Sequence, residues 1–473
     1  MAFDLHPILS PGQPPTLGLW YAISPEDCGG PSPAAKVGAC ANFELIEGGA
    51  AGGRVLLSAG ATPEGPYSDL HQLIIRKDCL KWEELPGGDL PARYEHTSFL
   101  VGGARESTLY VFAGANQNGS LSDMWKHQKE HWTLVDTNGP VPSPRTLHSN
   151  SCCWNKTLIV FGGGAAGTSP ISDTAIHLFQ PDTNEWSSPC TSGTPPTPRQ
   201  GHISVVVENK LLVHGGMAGQ DILSDLHILD LDKWAWSCPK VKGDPPPRLA
   251  AHGCAVIGRK VFVFGGMNPT TGASDHLYCL NTDTLEWRGV SVNGPPPPAR
   301  LDHAMCSVLI PVASGGTAAV ASTGKLNSAT MKASLNKTAT ATHPTTSQPT
   351  AINTITLISP DSVEERDFSL VTQPKPPTVS ECGTDTSSTT DKSMATTTTK
   401  DSTDANTLSD TLRKSKIDPP TSGSLPQESF DLIRSSSVVE NNVEWVPGLF
   451  VFGGMDTSGH IHGDCFVLCP HRE

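Results

Sequence analysis

The chain has 473 residues, with 47 acidic against 33 basic side chains and a formal net charge of -14. That balance, with no run of Lys and Arg to track phosphates, excludes an electrostatic nucleic-acid binder and argues against direct attachment to an anionic membrane. Gly (45) and Pro (41) both exceed ordinary usage, the mark of many tight turns joining short strands.

The opening stretch MAFDLHPILSPGQPP lacks the basic start and apolar core of a secretory signal. No segment reaches the roughly 18 uninterrupted apolar residues of a bilayer span. A cytoplasmic protein with no direct membrane insertion is therefore expected. The 13 cysteines are odd in number, scattered and without a Cys-x-x-Cys pair, which fits reduced, buried thiols rather than a disulfide framework or zinc site.

GLWYAIS, with Trp20 and Tyr21, precedes any repeat and has no strand of its own to pair with. A unit of about 50 residues then recurs. It runs from a Pro-rich approach through Arg-x-x-His to an apolar strand ending in a Gly pair, then a loop, an Asp opening a second apolar run, and a Trp. The first copy is degenerate, with Lys36 and Ala39 for Arg and His, then RVLLSAGA, Asp69 and Trp82. The next open on Arg93 and His96, Arg145 and His148, Arg199 and His202, Arg248 and His252 (one residue longer), and Arg300 and His303. Their strands are LYVFAGA, LIVFGGG with Gly162 and Gly163, LLVHGGM with Gly215 and Gly216, and VFVFGGM with Gly265 and Gly266. They end on Trp132, Trp186, Trp236 and Trp287.

Four short antiparallel strands per unit cannot bury both faces alone, and packing such sheets radially solves this. Glycine at a strand end permits positive φ and close backbone approach near the axis, and each Trp supplies a plate between blades. The expected fold is all-β, a six-bladed kelch β-propeller.

The sixth copy starts at Arg300 and His303, yet its strand LFVFGGM, with Gly453 and Gly454, comes 153 residues after that Arg instead of 16 to 20. The last blade is thus read as interrupted by a long disordered Ser/Thr-rich insertion. Lengthening one loop from about 10 to about 136 residues costs only about 2 kcal/mol of closure entropy. The domain boundaries follow: propeller over 1–311, insertion over 312–444, remainder of the sixth blade over 445–473. The sixth copy lacks its Trp, so residues 18–23, with Trp20, are expected to close it as an outer strand.

Strand alternation places the loops between units and the loops after the Gly pairs on one face, and the insertion on the other. The candidate partner-binding residues there are Arg93, Arg145, Arg199, Arg248 and Arg300, with Asn116 and Gln117 of the loop NQNGSLS. A residue repeated in every blade serves the blade first, so each Arg is read as tying down a neighbouring carbonyl or Asp. The functional reading is a cationic ring for partner carboxylates or phosphates. The five His are read as strand-start hydrogen-bonders and the Asp as loop caps. No phosphate-cradling loop, nucleophile elbow or metal motif occurs. The expectation is a non-enzymatic interaction scaffold with no cofactor.

LPARYEHTSF, VFAGANQNGSLSD, SPRTLHS, LIVFGGGAAGTSPISDTAIHLF, LLVHGGMAGQDILSDLH, RLDHAMC and LFVFGGMDTSGHIHGDC together resemble the kelch-repeat Rab effector proteins of late endosomes. What the resemblance implies is a scaffold binding a GTP-loaded Rab GTPase and assisting return of mannose 6-phosphate receptors from endosomes to the trans-Golgi network. It also implies peripheral association with endosomal membranes through partners, among them a membrane-recruiting kinase or another trafficking protein. The alternatives are a kelch substrate receptor of a ubiquitin ligase and a general kelch scaffold.

Overall fold

The structure is a computed structural model that describes residues 5–26, 28–46, 52–86, 88–103, 106–146, 152–166, 169–313, 439–440 and 443–471. His148 and, of the disordered insertion expected over 312–444, residues 314–438 and 441–442 lie outside the described residues, whereas residues 312–313 and 443–444 at its two ends are strand-paired in blade 6. The fold is all-strand and six-bladed. Blade 1 is Cys40–Ile46, Gly52–Thr62, Gly65–Arg76 and Cys79–Leu85; blade 2 is Thr97–Gly103, Glu106–Phe112, Met124–Gln128 and His131–Leu134. Blade 3 is Cys153–Trp154, Thr157–Val160, His177–Gln180 and Glu185–Ser187; blade 4 is Ile203–Val207, Lys210–His214, Leu226–Asp230 and Ala235–Ser237. Blade 5 is Gly253–Ile257, Lys260–Phe264, Leu277–Asn281 and Glu286–Gly289. In each, successive strands pair antiparallel from the axis outward.

Blade 6 is assembled from three parts of the chain. Ala304–Ala313 pairs with Val443–Phe452, from Ala304 opposite Phe452 to Ala313 opposite Val443. That strand pairs with Cys465–Leu468. Trp20–Ala22 completes the sheet, with Trp20 opposite Leu468 and Ala22 opposite Phe466. Trp20 is 1% exposed and packs on Phe264 of blade 5 at 5.4 Å between ring centroids. It thus takes the outer Trp position that Trp82, Trp132, Trp186, Trp236 and Trp287 hold elsewhere, all of them buried.

One hydrogen bond repeated six times closes the ring. The N–H at the second position of each Gly pair donates to the carbonyl that opens the next unit's Arg-x-x-His: Gly60 to Arg93, Gly114 to Arg145, Gly163 to Arg199, Gly216 to Leu249, Gly266 to Arg300 and Gly454 to Lys36, at 2.8–3.0 Å. The last of these joins blade 6 to blade 1. In blades 4 and 5 both glycines are also sterically required, whereas blades 1 and 2 carry Ala59 and Ala113 at the first position. A Cβ on Gly215 or Gly265 would stand 2.9 or 2.8 Å from the next blade's His252 or His303 ring, and one on Gly216 or Gly266 would meet its own blade's His202 or His252. All four have φ between 63° and 91°, where a side chain is strained in any case.

Candidate functional site

The unit loops and the loops after the Gly pairs do share one face, as alternation required. The residue after each opening Arg or its equivalent bridges the residue after the Gly pair: Val37 with Ala61, Tyr94 with Ala115, Thr146 with Gly164, Gln200 with Met217, Ala250 with Met267 and Leu301 with Met455. Towards the axis, blades 4 to 6 contribute Met217, Ile222, Met267 and Leu301 to an apolar cluster flanked by Met455. Blades 1 to 3 place only Ala61, Ala115 and Gly164 at the matching position. Of the loop residues expected on this face, Gln117 is exposed and Asn116 half-buried, its side chain accepting the Asn118 N–H at 2.8 Å.

Four of the five candidate Arg residues are not on the surface. Arg93, Arg145, Arg199 and Arg300 are each 0% exposed. Arg199 shows the pattern: it donates to the Thr197 carbonyl at 3.1 Å, to the Gly215 carbonyl at 3.0 Å, and to both carboxylate oxygens of Asp225 at 2.7 and 2.9 Å. Arg93 does the same with Pro91, Ala113 and Asp123, and Arg300 binds the Pro298 and Gly453 carbonyls and one carboxylate oxygen of Asp464. Arg145 binds the Ser143 and Gly162 carbonyls but stands 3.7 Å from Asp173. Lys36 makes the reduced version in blade 1, donating to Asp69 at 2.6 Å. These cations bind the end of the second strand to the loop that follows it.

Burial alone would raise the Asp123 and Asp225 carboxyls. The hydrogen bonds and charge of Arg93 and Arg199 overcome it and hold both below the usual carboxylate range. The repeated Asp is thus the counter-ion of the Arg, beyond any role as a loop cap.

Arg248 is the exception, and its placement in the ring is corrected. Leu249, 0% exposed, occupies the position that Arg199 and Arg300 hold in their blades: its carbonyl accepts the Gly216 N–H, and it packs among Val263, Leu280 and Trp287. Arg248, one residue earlier, is exposed. The regular Arg-to-His spacing of three points to Leu249 and His252, whereas accepting a longer spacing pulled Arg248 into the motif. The Asp of this blade has consequently lost its guanidinium partner. Asp275 is 43% exposed and pairs with the neighbouring, exposed His276 at 2.9 Å.

The repeated His side chains pack between blades, and as hydrogen-bonders the expectation holds for His96 and His252 but not for His303, neither of whose ring nitrogens has a hydrogen-bond partner among the described residues. His96 meets Ser58 of blade 1 at 2.8 Å, while His202 and His303 present ring edges to Phe161 and Phe264 of the preceding blades. Burial, then the charge of the neighbouring Arg, pushes all three down to about 3. His252 has no Arg beside it; burial and then His214, His202 and His303 lower it.

The third residue of the motif forms a girdle about the axis that sequence reading missed. The N–H of Glu95 donates to Gly38, Gly38 to Asp302, Asp302 to Ala251 and Ala251 to Gly201, at 2.7–3.0 Å. All five have φ of 52–62°. Burial, and for Glu95 also the charge of Asp302, raises both acids, Asp302 to about 6, with Thr146 donating to Glu95 and partly offsetting the rise. Among the described residues no group of three or more His, Cys, Asp or Glu could hold a metal, and no helix is long and apolar enough to cross a membrane.

The family model described as the KLHDC2/KLHL20/DRC7 kelch-repeats domain matches residues 49–266 and 126–317. The Rab9 effector protein with kelch motifs of Mus musculus is 44% identical over 311 residues, spanning 65% of this chain and 80% of the relative. That of Rattus norvegicus is 45% identical over 311 residues, spanning 65% and 82%. That of Homo sapiens is 37% identical over 222 residues, spanning 46% and 58%.

Proposed function

Because the chain belongs to the kelch-repeat family of Rab9 effector proteins with kelch motifs, a family of non-enzymatic scaffolds, we propose that it binds a Rab GTPase, Rab9 or a near relative, in the GTP-loaded state. The observation that carries this reading is the 44–45% identity to the rodent relatives, spanning 80% or more of their length. The docking face is the one built from the unit loops and the loops after the Gly pairs, where non-repeating residues such as Asn116, Gln117 and Arg248 meet solvent. Effectors tell nucleotide states apart by switch loops that the γ-phosphate orders, and a rigid ring of short loops suits a surface that exists in one state only. Placed on endosomes through such a partner, and with a membrane-recruiting kinase or another trafficking protein as a further contact, the scaffold assists return of mannose 6-phosphate receptors to the trans-Golgi network. The chain leaves blade 6 at Ala313 and re-enters it at Val443, the paired strand ends remote from that face.

The test is a pull-down against a Rab panel, each member loaded with a GTP analogue or with GDP. Retention of Rab9 in the GTP-analogue state alone is expected. Equal retention in both states, or none in either, would sink the proposal.

A further inference from the structure

The three linkers entering blades 3, 4 and 5 share one scaffold. Each lays a short stretch along the start of the outer strand of the blade it enters: Asn138 donates to the Asn184 carbonyl, Ser192 to Trp234 and Lys242 to Leu285, at 2.8–3.0 Å. At the next residue, Gly139, Gly193 and Gly243 each sit against a Trp carbonyl, 2.1–2.4 Å from where a Cβ would lie. The backbone is fixed alike in all three, and only the side chains differ.

The first reads TNGPVPSPR, the second TSGTPPTPR and the third PKVKGDPPPR. In the first two the sole cation is the ring Arg, buried. In the third Lys240, Lys242 and Arg248 are all exposed. Among the described linkers and loops of this face, every other Lys or Arg is one of the buried ring cations Lys36, Arg93, Arg145, Arg199 and Arg300. Of the exposed carboxylates there, Glu26, Glu64, Asp89, Asp136 and Asp221 lie off blade 5, while Asp244 lies within this linker and Asp275, 43% exposed, on a loop of the same blade; the linker itself holds three cations against one carboxylate. Among the described residues of this face, a chain of net charge -14 thus presents one net-cationic segment, which climbs the rim of blade 5 toward the face. Leu249 frees Arg248 for it by taking the buried position.

We propose that the linker Lys240–Arg248 is the electrostatic docking strip for the partner GTPase, receiving an acidic patch of its surface. The proposal rests on the Rab-binding reading and assigns it a place. Association steered by such a strip is fast at low salt and weakens as ions screen it. The fixed backbone keeps three long side chains on one line at little ordering cost beyond their own rotamers.

The test titrates GTP-analogue-loaded Rab9 onto the full-length chain, onto the triple variant K240E/K242E/R248E, and onto S192E on the matching linker of blade 4. The triple variant should bind about tenfold more weakly in low salt, the gap closing in about 0.5 M salt, with S192E matching wild type and the thermal midpoints of all three alike. If wild type binds and the triple variant binds equally well, the strip is overturned while the Rab reading stands. If wild type fails to bind, both fall. A third arm uses vesicles containing phosphatidylserine: vesicle binding by wild type that the triple variant loses, with Rab9 affinity unchanged, would assign the strip to a lipid surface and overturn the protein partner.

Discussion

Blades 4 and 5 have the same strands, the same Gly pair and the same outer Trp, yet treat the charges of their repeat in opposite ways. In blade 4, Arg199 lies wholly inside and its guanidinium is shared among Thr197, Gly215 and Asp225. In blade 5 a buried Leu249 fills that place by apolar contact, and both Arg248 and Asp275 face solvent. The blade closes either way, so the ion pair is one of two solutions to the same packing problem. A cation repeated around the ring marks construction, and Arg248, displaced from it, is exposed and belongs to the proposed docking strip.

Acid is the largest challenge to this contrast. His96, His202 and His303 are held neutral down to about 3, whereas their unfolded counterparts protonate near 6.5. Between those values the unfolded chain binds more protons, so stability falls as pH drops below about 6.5. Each of the three should cost about 2–3 kcal/mol at pH 4.5. Urea midpoints should fall steeply from pH 6.5 to 4.5, and in H202F, if the ring packs, the fall should be shallower. A flat profile would mean the rings are hydrated.

Arg199→Leu comes next. It copies blade 5 into blade 4 without the surrounding apolar lining, leaving the Gly215 carbonyl without its side-chain donor and Asp225 with His227 alone, and should cost about 3 kcal/mol. Asp302→Asn tests the axis. Folded Asp302 keeps its proton to about 6 against about 3.9 unfolded, so its neutral form contributes stability that is lost as pH rises through 6. The variant should gain about 2–3 kcal/mol at pH 7.5 and about half that at pH 5, read from the same urea titrations. The smallest effect is expected of Leu249→Arg, which supplies Asp275 with the missing partner. A change within about 1 kcal/mol is expected, and a collapse would show that blade 5 has no room for the ring cation.

Much of this was legible from repeat arithmetic. The pairing of the strand after His303 with that containing Phe450, and closure by Trp20, follow from a unit that lacks its middle and its end, since an unpaired strand edge must find a partner. The Gly pair was legible as a site of positive φ, though the His ring it accommodates was not. Identity misled at Arg248, because an Arg in a Pro-rich approach looks like the motif even when the spacing belongs to Leu249. Glu95 and Asp302 gave no signal at all. Their matching positions are Gly38, Gly201 and Ala251, so the girdle is a backbone pattern that side-chain types do not record.

Thermal unfolding of Arg199→Glu and Arg248→Glu, side by side with wild type, tests the division between construction and presentation most directly. Reversing the buried charge should lower the midpoint by several degrees or more, and reversing the exposed one should leave it within about one degree. Equal losses in the two variants would contradict the account.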